Sequence, residues 1–207
     1  MIIRDSIAIR YNIPPFFMAI LAVTWLGYGI YKGTSIKVTP LTIISDRVNK
    51  EHKFVFICDI HADAIRNHTY IQSIVNTIKN LQPDFVLIGG DLMNSAKISN
   101  VSAFLPFNQL KIPIYAVLGN HDHMGDKEAL SQIFGKANII ALRNQSIQKD
   151  GLQIVGIDDK SYRGKKKLPE ILEECNIIEN GKFTILISHQ PQKLSKLAKH
   201  SIDLELA

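Results

Sequence analysis

The chain has 207 residues, 46% of them hydrophobic and 21% charged, which fits one domain plus an appendage and excludes disordered and fibrous classes. Its net charge of +5 is compatible with anionic substrates, nucleic acid or a membrane surface, and selects none of them. The two cysteines, Cys58 and Cys175, are too far apart for a C-x-x-C pair, so neither a zinc knuckle nor a disulfide framework is indicated.

The N-terminus is the first distinct element. No charge occurs between Arg10 and Lys32, and residues 13–31 are dominated by Phe, Ile, Leu, Ala, Val and Trp. That length suits a helix crossing a bilayer core of roughly 30 Å. Tyr11, Phe16 and Phe17 gather toward one end and Trp25, Tyr28 and Tyr31 toward the other, as in interfacial belts. Pro14 and Pro15 fall in the first turn, where a missing N–H costs least. A core helix would be shorter, and a cleaved signal peptide would show a small-x-small site before Lys32. The expectation is a single-pass membrane anchor within residues 1–35, ahead of a globular domain at 36–207. Arg4 and Arg10 balance Lys32 and Lys37, so the side of the membrane on which the domain lies is not specified.

From Lys53 onward, short apolar runs alternate with helix-period segments. Residues 54–58 read as a buried strand closed by Cys58, a small buried residue. A helix with Ile71, Ile74, Val75, Ile78 and Leu81 on one face leads to a strand at 85–88. A weaker helix near 99–109 precedes a strand at 113–118. Asp150-Gly151 then joins 146–149 to 152–157 as a hairpin. A helix at about 168–175, a strand at 183–187, a helix at 192–200 and a strand beginning at 202–206 complete the order, which is that of an α/β fold. The basic run at 163–167 has no interleaved aromatics for base stacking and reads as a solvated loop, so a nucleic-acid partner is not expected.

Chemistry appears at the strand ends. The first strand is followed by Asp59-Ile60-His61, the second by Gly89-Gly90-Asp91, the third by Gly119-Asn120-His121-Asp122, and the strand at 183–187 by Ser188-His189. Each delivers an oxygen or imidazole donor to one edge of the sheet, where open α/β sheets bind ligands. In extended chain, residues i and i+2 point the same way, so Asp59 and His61 would grip one ion together. Asp91 has two oxygens with which to bridge a pair of ions, and Asn120 and His189 offer an amide oxygen and an imidazole to the second. Mixed oxygen and nitrogen donors suit manganese, iron or zinc better than calcium. The glycines before Asp91 and Asn120 would let the backbone bring these donors close. His123 reads as an exposed loop residue without a role. His52, His68 and His200 have none either, and Asp63 is a loop carboxylate.

D-I-H at Asp59, G-G-D at Gly89, G-N-H-D at Gly119 and S-H-Q-P at Ser188 resemble, in order, blocks of the calcineurin-like metallophosphoesterases. With the N-terminal anchor, S-H-Q-P further resembles a membrane-associated bacterial branch that includes UDP-2,3-diacylglucosamine hydrolase-like proteins. The resemblance implies a two-sheet sandwich flanked by helices. It also implies two divalent ions, with Asp59 and His61 on the first, Asp91 bridging, and Asn120 and His189 on the second. The implied reaction is hydrolysis of a phosphomonoester, phosphodiester or pyrophosphate bond, including lipid-linked pyrophosphates. His121 would stabilise or protonate the leaving oxygen, with Asp122 orienting its ring. The family closes its site with a G-H-x-H block after a strand resembling 202–207, and the sequence ends at Ala207. The expectation is therefore a domain truncated before that block, with reduced metal content and marginal stability. The alternative to a hydrolase is a non-catalytic remnant or binding protein that keeps the fold.

Overall fold

Residues two apart on a strand face opposite sides of a sheet from their neighbours, and here both faces of the central strands are apolar. Such strands need a covering layer on each side, which fixes the architecture. The structure, a computed structural model, describes residues 14–94, 101–124, 127–162, 164, 166–175, 177, 181–192, 194–197 and 201–207. It divides into two units, Met1–Val38 and Thr39–Ala207.

The first unit contains one helix, α1 (Pro15–Thr34), of 20 residues. At 1.5 Å per residue it is about 30 Å long. None of its residues is buried, and Trp25, Leu26 and Tyr31 are largely exposed. Pro15 occupies the first helical position, as expected. The hydroxyls of Thr24 and Thr34 donate to the carbonyls of Ile20 and Ile30, each at 2.8 Å, so neither presents an unpaired donor to apolar surroundings. Among the described residues this is one helix long and apolar enough to cross a membrane. Arg4, Arg10 and Tyr11 lie outside the described residues.

The second unit carries β1 (Phe54–Ile57), α2 (His68–Leu81), β2 (Phe85–Ile88), a 3-10 helix at Val101–Gln109, β3 (Ile114–Ala116), α3 (Asn120–Met124), α4 (Lys127–Ala137) and β4 (Ile140–Ala141). It continues with the hairpin β5 (Gln145–Lys149) and β6 (Leu152–Gly156), a 3-10 turn at Lys160–Tyr162, α5 (Leu168–Glu174), β7 (Phe183–Ile187), α6 (Leu194–Leu197) and β8 (Leu204–Leu206). The strands form two four-stranded sheets, ordered β1-β2-β3-β4 and β5-β6-β7-β8. The first is parallel throughout. In the second only the β5–β6 hairpin is antiparallel.

Phe85 and Leu87 of β2 and Tyr115 of β3 turn toward Leu152, Ile154, Ile185 and Ile187 of the second sheet, filling the space between the sheets. Val86 and Ile88, on the opposite face, pack against Ile71, Val75 and Ile78 of α2 and Ile133 of α4. Val155 and Leu186 do the same for the second sheet against Ile171 and Leu172 of α5. The result is helix, sheet, sheet, helix, the two-sheet α/β arrangement expected. Truncating Leu87 to Ala between the sheets would cost about 2–5 kcal/mol.

Several elements differ from the sequence reading. Cys58 is exposed, not buried, because β1 is the outermost strand of its sheet, is only half-buried, and ends at Ile57. The helix near 99–109 is a 3-10 helix with Pro106 inside it, whose missing N–H breaks an α-helical ladder; residues 99–100 lie outside the described residues. The helix at 192–200 is a single turn, with residues 198–200, His200 among them, outside the described set. In the basic run, Arg163 and Lys165 also lie outside it. Helices α3 and α4 and strand β4 were not anticipated.

Candidate metal centre

The donors stand where strands of both sheets end. Past Ile57 the chain does not stay extended: Asp59 (φ 54°) and His61 (φ 46°) are left-handed, as is Asp91 (φ 52°) after β2. Asp59 and His61 are therefore not aligned by extended chain, as their i, i+2 spacing suggests, but by left-handed turns. A left-handed backbone at a residue other than glycine costs on the order of 1–3 kcal/mol and persists only where its surroundings impose it. Here the loops after β1 and β2 run side by side, with the amides of Asp59, His61 and Ala62 donating to the carbonyls of Gly90, Asp91 and Leu92 at 3.1, 2.9 and 2.8 Å.

That loop pairing brings the donors together. His61 Nε2 lies 3.4 Å from Asp59 Oδ1 and 3.5 Å from Asp91 Oδ2. From the other side, His189 Nε2 lies 3.4 Å from Asp91 Oδ2 and 3.0 Å from Asn120 Oδ1. Two donors about 2.1 Å from one ion stand roughly 3.0–3.4 Å apart, so these spacings fit a shared cation. The ring of His189 sharpens the point. Its Nδ1 is 3.1 Å from the Gly89 carbonyl, a bond only an N–H can make. The ring's other nitrogen, Nε2, thereby faces Asp91 Oδ2 and Asn120 Oδ1 together, a spacing that a shared cation fits. All five sequence-predicted donors are thus brought together.

Two glycines make the approach possible. Gly90 has φ 97°, and a Cβ there would stand 2.6 Å from the Gly119 nitrogen. A Cβ on Gly119 would overlap Asp91 Oδ1.

His121 is held at both ends. Its amide donates to Asp91 Oδ1 at 2.9 Å, and its Nδ1 is 2.8 Å from the Asn94 carbonyl. Its ring stands edge-on to His61 at 4.9 Å, and its donor atom lies within 4.8 Å of those of His61 and Asp91. Asp59, Asp91 and His189 form a second such group. Asp122 does not orient the His121 ring, which the Asn94 carbonyl engages instead. Its buried carboxylate accepts from the amides of Met93 at 3.1 Å and Gly119 at 3.0 Å, tying the loop after β2 to the loop after β3. Burial pushes its pKa up to about 6 against the pull of those donors.

His123 is the residue the sequence reading missed. It sits on α3 with its side chain only 7% exposed, stacked on Tyr162. Recognising 120–124 as a helix would have placed it one turn from Asn120. Asp63 is a loop carboxylate, as expected: it accepts from the amides of Ile65 and Arg66, which hold its pKa below the usual range.

A profile of the calcineurin-like phosphoesterases matches residues 52–205. The chain belongs to the calcineurin-like phosphoesterase family. An uncharacterized metallophosphoesterase of Helicobacter pylori (strain ATCC 700392 / 26695) is 31% identical over 200 residues, covering 93% of this chain and 53% of that protein. A transmembrane protein with metallophosphoesterase domain from Danio rerio is 29% identical over 168 residues, 74% of this chain and 38% of its own length. The DNA double-strand break repair protein Mre11 of Nanoarchaeum equitans is 28% identical over 180 residues, 67% of this chain and 49% of its own. The phosphoesterase chain therefore spans about half the length of the Helicobacter relative, or less of some others. In this calcineurin-like phosphoesterase the converging Asp, Asn and His side chains are donors suited to divalent metals.

Proposed function

We propose that the chain is a metal-dependent phosphohydrolase that cleaves a phosphomonoester, phosphodiester or pyrophosphate bond at a two-ion centre. The observation that carries this is the place of Asp91 Oδ2, between His61 Nε2 at 3.5 Å and His189 Nε2 at 3.4 Å. Asp59, His61 and Asp91 would hold one ion, and Asp91, Asn120 and His189 the other, with manganese, iron or zinc suiting the donor chemistry. Bound ions polarise phosphoryl oxygens and supply a nucleophilic hydroxide at neutral pH.

The chain's own residues do the rest. Asp91, almost fully buried, places one carboxylate oxygen between the two imidazoles. With Nδ1 of His121 at the Asn94 carbonyl, its Nε2 is left to pass a proton to the departing oxygen when the ring is protonated. Asp122 serves by fixing the loops that carry Asp91 and Asn120.

We further propose that α1 is a single-pass anchor, with residues 1–35 as the anchoring segment and 36–207 as the phosphoesterase domain. The apolar, unburied helix and the transmembrane name of the Danio rerio relative support this reading. An enzyme held at a bilayer suits lipid-linked pyrophosphates, such as UDP-2,3-diacylglucosamine, better than a diffusing nucleotide.

The test is hydrolysis of bis-p-nitrophenyl phosphate and of UDP-2,3-diacylglucosamine by the detergent-solubilised chain with manganese, with duplex DNA as a third substrate. Turnover that requires the metal and vanishes in Asp91→Asn is expected. Metal-independent turnover would count against the metal centre, and none on any of the three against a hydrolase. Cleavage of DNA alone would overturn the lipid-pyrophosphate assignment.

A further inference from the structure

The reaction above makes no use of a second cluster beside the centre. His123 lies three residues after Asn120 on α3, so the two share a helix face. Its ring stacks on Tyr162 with centroids 3.7 Å apart and planes 13° from parallel. The nearby Asp158 Oδ1 is 4.0 Å from His123 Nε2, and that nitrogen is buried with no hydrogen-bond partner among the described residues. The stack is thus a closer contact for the side chain than the Asp158 carboxylate.

The platform under that stack is itself braced. Arg143 donates to Asp158 from Nη2 at 2.8 Å and from Nε at 3.2 Å. Asn144 Oδ1 accepts from the Asp158 amide at 2.9 Å. Asp159 accepts from the amide of Ser161 through Oδ1 at 2.8 Å and from the amide of Tyr162 through its carbonyl at 2.9 Å. Asp158 and Tyr162 follow β6 of the second sheet, whereas His123 follows β3 of the first. The stack thus joins the rims of the two sheets on the side where the donors meet.

The donors divide unequally across that seam. Asp59, His61 and Asp91 all follow strands of the first sheet. Asn120 leads α3, also after the first sheet, but its neighbour His189 follows β7 of the second. We propose that His123 and Tyr162 are positioning residues that set the separation of Asn120 and His189, and so the affinity of the second ion, while the first ion depends on them little. This rests on the two-ion reading above.

The experiment is a manganese titration of the full chain that counts bound ions and resolves their two affinities. Wild type should bind two ions. In His123→Ala and in Tyr162→Ala the second ion should bind about tenfold more weakly, the upper range for loss of an aromatic stack, with the first within about twofold of wild type. His123→Phe keeps the stack without Nε2 and should restore the second affinity. Tyr162 is partly exposed, so its truncation remains informative if His123→Ala does not fold. Wild-type affinities in folded Tyr162→Ala, equal weakening of both ions, or no rescue by a folded His123→Phe would each overturn the proposal. A wild-type chain that binds fewer than two ions would instead overturn the two-ion reading, and this inference with it.

Discussion

His189 Nε2 stands 3.0 Å from Asn120 Oδ1, although the two residues follow strands of different sheets. The centre is therefore built on a seam, with the rim of the first sheet supplying Asp59, His61, Asp91 and Asn120 and the second supplying His189. Ion affinity should be sensitive to anything that moves one sheet's rim against the other.

On the two-ion reading proposed above Asp91 is shared by both ions, so its replacement should be felt on both sides of the seam. Asp91→Asn keeps the shape of the side chain but loses its charge. Binding of both ions should weaken by at least about 10–100-fold in calorimetric titration, with far-UV circular dichroism unchanged.

Gly119→Ala should act on the same carboxylate from behind, because the added Cβ overlaps Asp91 Oδ1. A loss of about 1–3 kcal/mol in urea unfolding is expected, together with weaker metal binding. Gly135 gives the control. It lies within α4 with nothing within 4 Å of an added Cβ, so Gly135→Ala should stabilise the chain by about 0.5–1 kcal/mol.

Metal should stabilise the fold. Asp59 and Asp91 bring carboxylates to one site that a cation would neutralise. Manganese at about 100 times its dissociation constant should add about 2.7 kcal/mol per site, raising the thermal midpoint, and excess chelator should reverse the shift.

Asp122 should make the metal-free chain sensitive to pH. Its folded pKa of about 6 lies above the ordinary carboxylate value of 3.8, because burial favours the protonated form. The stability it contributes is therefore complete below about pH 4 and is lost as pH rises through about 6. Asp122→Asn, which cannot ionise, should gain stability relative to wild type across that interval. Denaturant melts of both chains at pH 4 and pH 7 measure the difference, and an unchanged gap would contradict it.

The strands that carry donors were legible because each is a short apolar run ending in a polar motif: β2 and β7 fall on the predicted residues, and β1 and β3 lie within theirs. What periodicity does not encode is the backbone between elements. The left-handed Asp59, His61 and Asp91 arise from pairing of two loops distant in sequence, which no local pattern around Asp59 reveals. Asp122 looked like a partner for its neighbour His121, yet its acceptors serve Met93 and Gly119 across a tertiary contact. Cys58 was misjudged for a similar reason, since an apolar run does not announce that its strand is outermost. Helix α4 was a different kind of miss, for Leu130, Ile133 and Ala137 follow helical spacing in the sequence and are buried on one face.

Electron paramagnetic resonance of the manganese-loaded chain tests the centre most directly. If Asp91 is shared by two ions as proposed, the loaded chain should give an exchange-coupled dinuclear spectrum that Asp91→Asn abolishes. A saturated sample showing only the six-line signal of isolated ions, or no bound manganese at all, would contradict the account.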